Sequence, residues 1–138
     1  MSGHLLDTHY WLWYQMGNAQ RLRPDARNRL IDLQSRGQLY LSAISILEVA
    51  RLVADGRLEI NTTVDAFVAE ATGEAGLPLL PLSTRILIES TRLPGDLHRD
   101  PSDRLLVATA REHGLALVTR DGELLRYGRT GHVRVFEI

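Results

Sequence analysis

Four carboxylates in this 138-residue chain stand where a parallel α/β fold would bring them together. Asp7 directly follows a segment, His4 to Leu6, that is typical of a short strand. Asp121 comes two residues after a second apolar segment, Leu115 to Thr119. Ligands of open α/β sheets bind just beyond the carboxyl ends of the strands. We therefore expect Asp7 and Asp121 at the same edge of the sheet.

Glu48 and Asp103 are acidic residues within predicted helices. On a wheel of about 100° per residue, Glu48 lies about 40° from both Ile44 and Leu52, on an apolar stripe that should point inward. A buried carboxylate is costly unless an arginine, a proton or a metal ion accompanies it. Asp103 occupies the first turn of a helix predicted to begin at Pro101.

Four carboxylates at one sheet edge would repel each other, and a divalent cation would relieve that repulsion. Because the set contains no His or Cys, its oxygen ligands suit Mg²⁺ or Mn²⁺. Such an ion can deprotonate a bound water and stabilise charge on a transferring phosphoryl group. The pattern therefore favours hydrolysis of a phosphodiester bond.

Each carboxylate also has a purely structural explanation. Asp7 and Asp121 could cap the helices that follow them, and Glu48 could form a buried salt bridge with an arginine. Asp100, with a proline at the next position, is typical of a helix N-cap. Asp103 would be favoured near a helix start by the helix dipole alone. Only the joint placement of these residues favours a functional site.

The elements that must position these residues alternate between strand and helix patterns, which predicts a parallel α/β architecture. The predicted strands are His4 to Leu6, Leu39 to Ser42, Leu79 to Leu82, Leu115 to Thr119 and Val133 to Phe136. The predicted helices are Thr8 to Met16, Pro24 to Arg36, Ala43 to Ala54, Thr62 to Glu74, Ser83 to Leu93, Pro101 to His113 and Gly122 to Tyr127.

Length and composition predict one domain over residues 1–138. The absence of cysteine excludes disulfides, thiolate zinc sites and cysteine nucleophiles. No segment is typical of a signal peptide or is apolar enough to span a membrane, so we expect a cytoplasmic protein without a membrane partner. The net charge of −1 does not indicate nucleic-acid binding, although all 16 basic residues counted as Lys or Arg are arginine.

The acidic residues lie in four segments with a characteristic order and spacing. These segments are Leu5 to His9, Ser42 to Ala50, His98 to Ala108 and Leu117 to Asp121. They resemble the acidic motifs of the PIN-domain family, and in particular of VapC-type toxin ribonucleases from type II toxin–antitoxin systems. The segment around Asp103 is the most specific match. The resemblance covers nearly the whole chain.

This resemblance implies a three-layer α/β/α sandwich with a central parallel sheet of about five strands. It implies a metal-dependent endoribonuclease toxin whose Mg²⁺ or Mn²⁺ is held by Asp7 and Asp103, with Glu48 and Asp121 completing the site directly or through water. Thr119 would orient a water or a ligand. Asp100 belongs to the same motif, but its sequence context favours a helix cap.

The resemblance also implies an RNA substrate, a homodimer and a separate antitoxin whose C-terminal segment covers the active site. Arg99, Arg104 and Arg120 flank the acidic motifs and could contact RNA phosphates, or could instead pair with the carboxylates.

The aromatic residues are concentrated near the start of the chain, where Tyr10, Trp11, Trp13 and Tyr14 lie within five positions. They point around more than one face of the predicted helix. This pattern could form a homodimer surface or a groove for a partner helix, or all four could pack against neighbouring helices.

An alternative function is a non-catalytic PIN-fold module that binds RNA or protein without cutting it. The intact acidic set disfavours this reading. A phosphotransferase of the haloacid-dehalogenase kind would need a second aspartate at position 9, which is His9. A nucleotide-binding loop is excluded because no glycine-rich phosphate motif is present.

Overall fold

The computed structural model describes residues 3–138 and shows the predicted alternation of strands and helices. The strands are β1 (His4–Leu6), β2 (Leu39–Ser42), β3 (Leu79–Leu80), β4 (Ala116–Val118) and β5 (Val135–Phe136). The helices are α1 (Thr8–Met16), α2 (Pro24–Ser35), α3 (Ala43–Ala54), α4 (Val64–Thr72), α5 (Thr84–Glu89), α6 (Pro101–His113) and α7 (Gly122–Gly128).

The five strands form one parallel sheet in the order β3-β2-β1-β4-β5. β1 is central and pairs with β4 through Leu6 and Val118, the last residues of the two strands. Asp7 therefore leaves the sheet next to the Thr119–Asp121 segment, and its main-chain N–H donates to the Val118 carbonyl at 3.0 Å. The sequence prediction that these two strands end at one edge is confirmed.

Each face of the sheet is covered by helices, as the period of two along a strand requires. Leu5 and Leu117 point into one hydrophobic cluster, which α5, α6 and α7 complete. Leu6 and Val118 point into the other, which is built from α1, α2 and α4. The result is the three-layer α/β/α sandwich that the sequence predicted.

The predicted elements differ from the observed ones mainly at their ends. The edge strands β3 and β5 have two residues each, shorter than predicted, because each pairs with one neighbour only. Helix α4 begins at Val64, two residues later than predicted, because the Thr63 hydroxyl caps it by accepting from the Ala66 N–H at 3.1 Å.

Helix α5 ends at Glu89 although the sequence predicted it to reach Leu93. The helix ends in tighter turns, because the N–H groups of Thr91 and Arg92 donate to carbonyls three residues back. Pro94 has no N–H for the Ser90 carbonyl, which accepts from Arg104 Nε at 2.8 Å instead. Ser83 caps the start of this helix, since its hydroxyl accepts from the Ile86 N–H. Across residues 3–138, the helices are all too short or too polar to cross a bilayer.

Candidate metal centre

The carboxylates named in the sequence analysis line one cleft at the carboxyl edge of the sheet, which we call the acidic cleft. It has a volume of ≈ 320 Å³. Its acidic lining is Asp7, Glu48, Asp100, Asp103 and Asp121. The rest of its lining comes from His9, Tyr10, Trp13 and Arg120.

Asp7 lies at the N-cap position of α1 but its side chain caps nothing. Its Oδ2 instead accepts a hydrogen bond of 2.7 Å from the hydroxyl of Thr119, at the end of the neighbouring strand. The main hydrogen bond of the Asp7 side chain is therefore to Thr119 and not a helix cap, although the main chain of His9 also lowers the pKa of this carboxyl. Burial raises the pKa of the Asp7 carboxyl, and the Thr119 hydrogen bond opposes that rise.

Thr119 is fully buried, and its hydroxyl forms hydrogen bonds with the acidic residues at the ends of both strands. While its hydroxyl donates to Asp7, it accepts from the main-chain N–H of Asp121 at 3.0 Å. The side chain of Asp121 in turn caps α7 by accepting from the N–H groups of Glu123 and Leu124. The capping alternative for Asp121 is confirmed, and the same side chain lines the acidic cleft.

Glu48 reaches the cleft from α3, which begins after a cap by Ser42. Its Oε1 accepts a 2.5 Å hydrogen bond from Thr8, whose oxygen lies 2.7 Å from the Ser45 hydroxyl. Since Thr8 has one hydroxyl proton, Ser45 must be the donor in that second bond. Within residues 3–138 no arginine forms a salt bridge with Glu48, so that alternative is wrong. Burial, with the charges of Asp7 and Asp100, raises its pKa.

Asp103 lies in the first turn of α6, as predicted. Burial is the main reason that its pKa rises to about 7, and the negative charges of Asp100, Asp121 and Asp7 add to the effect. A carboxyl at this pKa is under strong pressure to gain a proton or a cation. This is the electrostatic conflict that the sequence predicted for a cluster of carboxylates.

His98 is the residue of this region that the sequence analysis did not single out. Its Nε2 lies 2.8 Å from Asp103 Oδ2, and His98, Asp100 and Asp103 each offer a ligand atom within 4.8 Å of the others. Asp100 is exposed and caps α6 by accepting from the Ser102 N–H at 3.0 Å, as predicted. The only sequence signal for His98 was its place in the most specific motif segment.

The three arginines flanking the motifs are placed differently. Arg99 is exposed and lines a separate cavity beside α5 and α6. Arg104 donates to the carbonyls of Ser90, Leu97 and His98. Its guanidinium therefore binds main-chain carbonyls of the loop that precedes α6. This differs from both predicted roles, which were contact with an RNA phosphate and pairing with a carboxylate. Arg120 is the one of the three that lines the acidic cleft.

The four aromatic residues of α1 pack against the hydrophobic cluster on their side of the sheet. Tyr10 and Trp11 are buried, while Trp13 and Tyr14 are partly buried. Packing against neighbouring helices, the structural alternative for this group, is therefore confirmed. Trp11 and Tyr14 also line a cavity of ≈ 220 Å³ between α1, α2 and α4.

The sequence matches a known protein family over most of its length. A family model described as PIN domain matches residues 4–130. The chain belongs to the PIN domain family. This PIN domain is 30% identical to Ribonuclease VapC22 of Mycobacterium tuberculosis over 124 residues, which cover 90% of this chain and 91% of that protein.

Solved structures confirm the fold of this PIN domain. It is similar to VapBC2 from Rickettsia felis bound to a DNA fragment from their promoter, with a TM-score of 0.74 and 14% identity over 100% of this chain and 99% of that chain. It is also similar to DNA-bound VapBC from Salmonella typhimurium, with a TM-score of 0.68 and 20% identity over 99% and 98% of the two chains.

The side chains of the acidic cleft fit a hard divalent cation. The donors that line it are mostly carboxylate oxygens, which suit Mg²⁺ and Mn²⁺, and His98 adds one nitrogen beside Asp103. Burial, with a smaller effect of the neighbouring carboxylates, raises the pKa values of Asp7, Glu48 and Asp103, so the protein alone stabilises their ionised forms poorly. A bound cation would compensate that charge.

Proposed function

We propose that this PIN domain is a Mg²⁺- or Mn²⁺-dependent endoribonuclease and the toxin of a toxin–antitoxin pair. The observation that carries the proposal is the meeting of carboxylates from four segments of the chain in one cleft at the sheet edge. The 30% identity to a protein named Ribonuclease VapC22 supports RNA as the substrate. We further propose that residues 1–138 act as a single domain.

Asp7 and Asp103 are the proposed principal metal ligands, with Glu48 and Asp121 completing the site directly or through water. A bound divalent ion would supply Lewis acidity to a phosphodiester and lower the pKa of a water molecule. The chain prepares the ligands, because Thr119 fixes one oxygen of Asp7 and Thr8 fixes one oxygen of Glu48. Such fixed ligands need little rearrangement on binding the ion.

Arg120 is the proposed phosphate contact near these ligands. It lines the acidic cleft, and within residues 3–138 no Asp or Glu side chain forms a salt bridge with it. Its positive charge can therefore offset part of the repulsion between the carboxylates and an RNA backbone. Arg99, which lies outside the cleft, could contact RNA only beyond the reacting phosphate.

The proposed partners are an antitoxin chain and a second copy of this chain. The similar structures are described as VapBC assemblies and, for Klebsiella pneumoniae, as a toxin-antitoxin complex. These descriptions support the antitoxin as a partner. Leu87 and Ile88 of α5 each expose nearly half of their surface, which supports an apolar contact between two copies. Sedimentation of the purified chain, alone and as Leu87→Glu, would test the homodimer.

The nuclease proposal is tested by incubating a mixed RNA pool with purified protein in Mg²⁺, in Mn²⁺ and in EDTA. Asp7→Asn should abolish cleavage in both metals while leaving the fold intact. Asp55→Asn is the matched control, because Asp55 is an exposed carboxylate at the far end of α3. If Asp7→Asn folds and cuts RNA at the wild-type rate, the assignment fails. A wild-type protein that neither cuts RNA nor binds either metal would favour the non-catalytic module.

A further inference from the structure

One wall of the acidic cleft is aromatic. His9 and Trp13 lie one helical turn apart on α1 and both line the cleft. Their ring centroids are 6.1 Å apart and the rings are tilted by 41°. His9 is exposed and Trp13 is partly buried, whereas Trp11 on the same helix is fully buried. Helix α1 thus presents two ring systems beside the carboxylates and keeps its other tryptophan in the core.

Arg120 fixes this aromatic wall in place. Its guanidinium carbon lies 5.1 Å from the ring centroid of Tyr10 and 5.2 Å from that of Trp13, within the range of cation–π contacts. Nε and Nη2 donate to the Ile138 carbonyl and Nη1 donates to the Arg21 carbonyl. Since both ends of the guanidinium are held by main chain, Trp13 packs against a cation with a set position.

A ring, a fixed cation and a group of carboxylates in one cleft match two parts of a nucleotide, its base and its phosphate. The carboxylates would act, through a metal, on a phosphate, and the cation would face the backbone. The aromatic ring would bind the base, because every base has a π-face that can stack on an aromatic side chain. A base within a duplex is already stacked on its neighbours, so the ring can accept only an unpaired one.

We propose that Trp13, assisted by His9, forms a stacking subsite for one unpaired RNA base next to the phosphate that is cut. The subsite rests on the proposed nuclease function, because that function supplies RNA as its ligand. It selects single-stranded or looped RNA over duplex RNA with little preference among the four bases. Base identity would then have to be read elsewhere along the RNA.

The subsite is tested first by binding, in EDTA so that no metal-dependent cleavage occurs. The probes are oligouridine decamers that each carry one 2-aminopurine, moved through the ten positions of successive probes. Stacking on Trp13 should quench the 2-aminopurine fluorescence at one position more than at the others. Equal fluorescence changes at all positions, or no binding by any probe, would overturn the subsite.

The variants Trp13→Leu and Trp13→Phe separate stacking from packing. Leucine keeps apolar volume without a ring and should weaken binding of the best probe about tenfold, as expected for one base–aromatic stack. Phenylalanine should retain most of the affinity. Tyr14→Leu is the matched control, since Tyr14 is a partly buried ring of the same helix that lines a different cavity, and it should leave binding unchanged.

Cleavage of decamers with one abasic position distinguishes the subsite from the nuclease proposal. Removing the base at the quenched position should raise KM about tenfold for the wild type and leave KM of Trp13→Leu unchanged. If the wild type cuts RNA but no abasic position raises KM, the subsite is overturned and the nuclease stands. Position-specific quenching by a protein that neither cuts the mixed RNA pool nor binds either metal would keep a base-stacking site and remove the nuclease. Should Trp13→Leu fail to fold, the wild-type abasic series decides alone.

Discussion

A single hydroxyl, that of Thr119, connects the acidic ends of two neighbouring strands. It donates to Asp7 Oδ2 and accepts from the Asp121 N–H, and its own side chain is fully buried. Removing this oxygen would leave a carboxylate oxygen and a main-chain N–H without their partner in a buried place. The hydrogen bond also holds down the pKa of Asp7, which burial raises.

Thr119→Val keeps the shape of the side chain and removes its hydroxyl. We expect the free energy of unfolding in EDTA to fall by about 1–3 kcal/mol, because buried polar groups lose their partner. Urea unfolding measures this change, and Thr119→Ser is the control that restores the hydroxyl. A valine variant as stable as the wild type would mean that the bond contributes nothing.

Because the pKa of Asp103 is raised from 3.8 to about 7, we expect the free energy of unfolding to depend on pH. The folded protein holds this proton more tightly than the unfolded chain does, so the free energy of unfolding should decrease as the pH rises from about 4 to about 7. Urea unfolding in EDTA at several pH values measures this slope. Asp103→Asn should flatten it, and equal slopes for both proteins would contradict the raised pKa.

The sequence could identify the carboxylates because strand ends and helix faces can be read from the pattern of apolar residues. The apolar pattern could not identify the residues that hold them, although the family resemblance named Thr119. The Thr8–Glu48 hydrogen bond joins residues 40 positions apart, and the Thr119–Asp7 bond spans 112 positions. Such pairs depend on how helices settle on the sheet, which no local pattern specifies. The contact of His98 with Asp103 was missed for the same reason.

At the scale of the elements, the segment between α5 and α6 is held by side chains from two helices. Arg104 of α6 donates to the carbonyls of Ser90, Leu97 and His98. Arg126 of α7 donates to the Asp96 carbonyl at 2.6 Å. This irregular segment therefore has satisfied main-chain acceptors, and it carries His98 and Asp100 to the acidic cleft in a set position.

Arg104→Met keeps the aliphatic stem and removes all three of these hydrogen bonds. We expect a loss of about 2–3 kcal/mol in the free energy of unfolding, the scale of charge-assisted bonds to buried acceptors. Amide exchange of residues 91–100 should become faster than in the wild type. Arg99→Met is the control, because Arg99 is exposed and belongs to the same segment. Unchanged exchange in the Arg104 variant would contradict this role.

Most of the elements could be predicted because alternating and helical apolar periods are local signals. Their ends were harder to predict, and α5 shows why. Its sequence stays helix-compatible to Leu93, but Pro94 has no N–H for the Ser90 carbonyl, which accepts from Arg104, fourteen residues later. The local sequence therefore places the stop before Pro94 but does not specify the residue at which the last α-helical turn closes.

For the molecule as a whole, a metal bound in the acidic cleft would join β1, α3, α6 and the β4–α7 connection. Unfolding would then require release of the ion. At a Mn²⁺ concentration of about a hundred times Kd, we expect the free energy of unfolding to rise by about 2.7 kcal/mol relative to EDTA. Asp55→Asn should show the same rise and Asp7→Asn should show none. A thermal scan with and without Mn²⁺ tests this, and a shift that persists in Asp7→Asn would place the ion elsewhere.

The attachment of Ile138 links the segment after β5 to the wall of the acidic cleft. Its main-chain oxygen accepts from the Tyr10 hydroxyl and from Arg120, two residues that line the cleft. A displacement of this segment would free both side chains at once. A partner that pulls on the segment after β5 could therefore change the shape of the cleft without entering it.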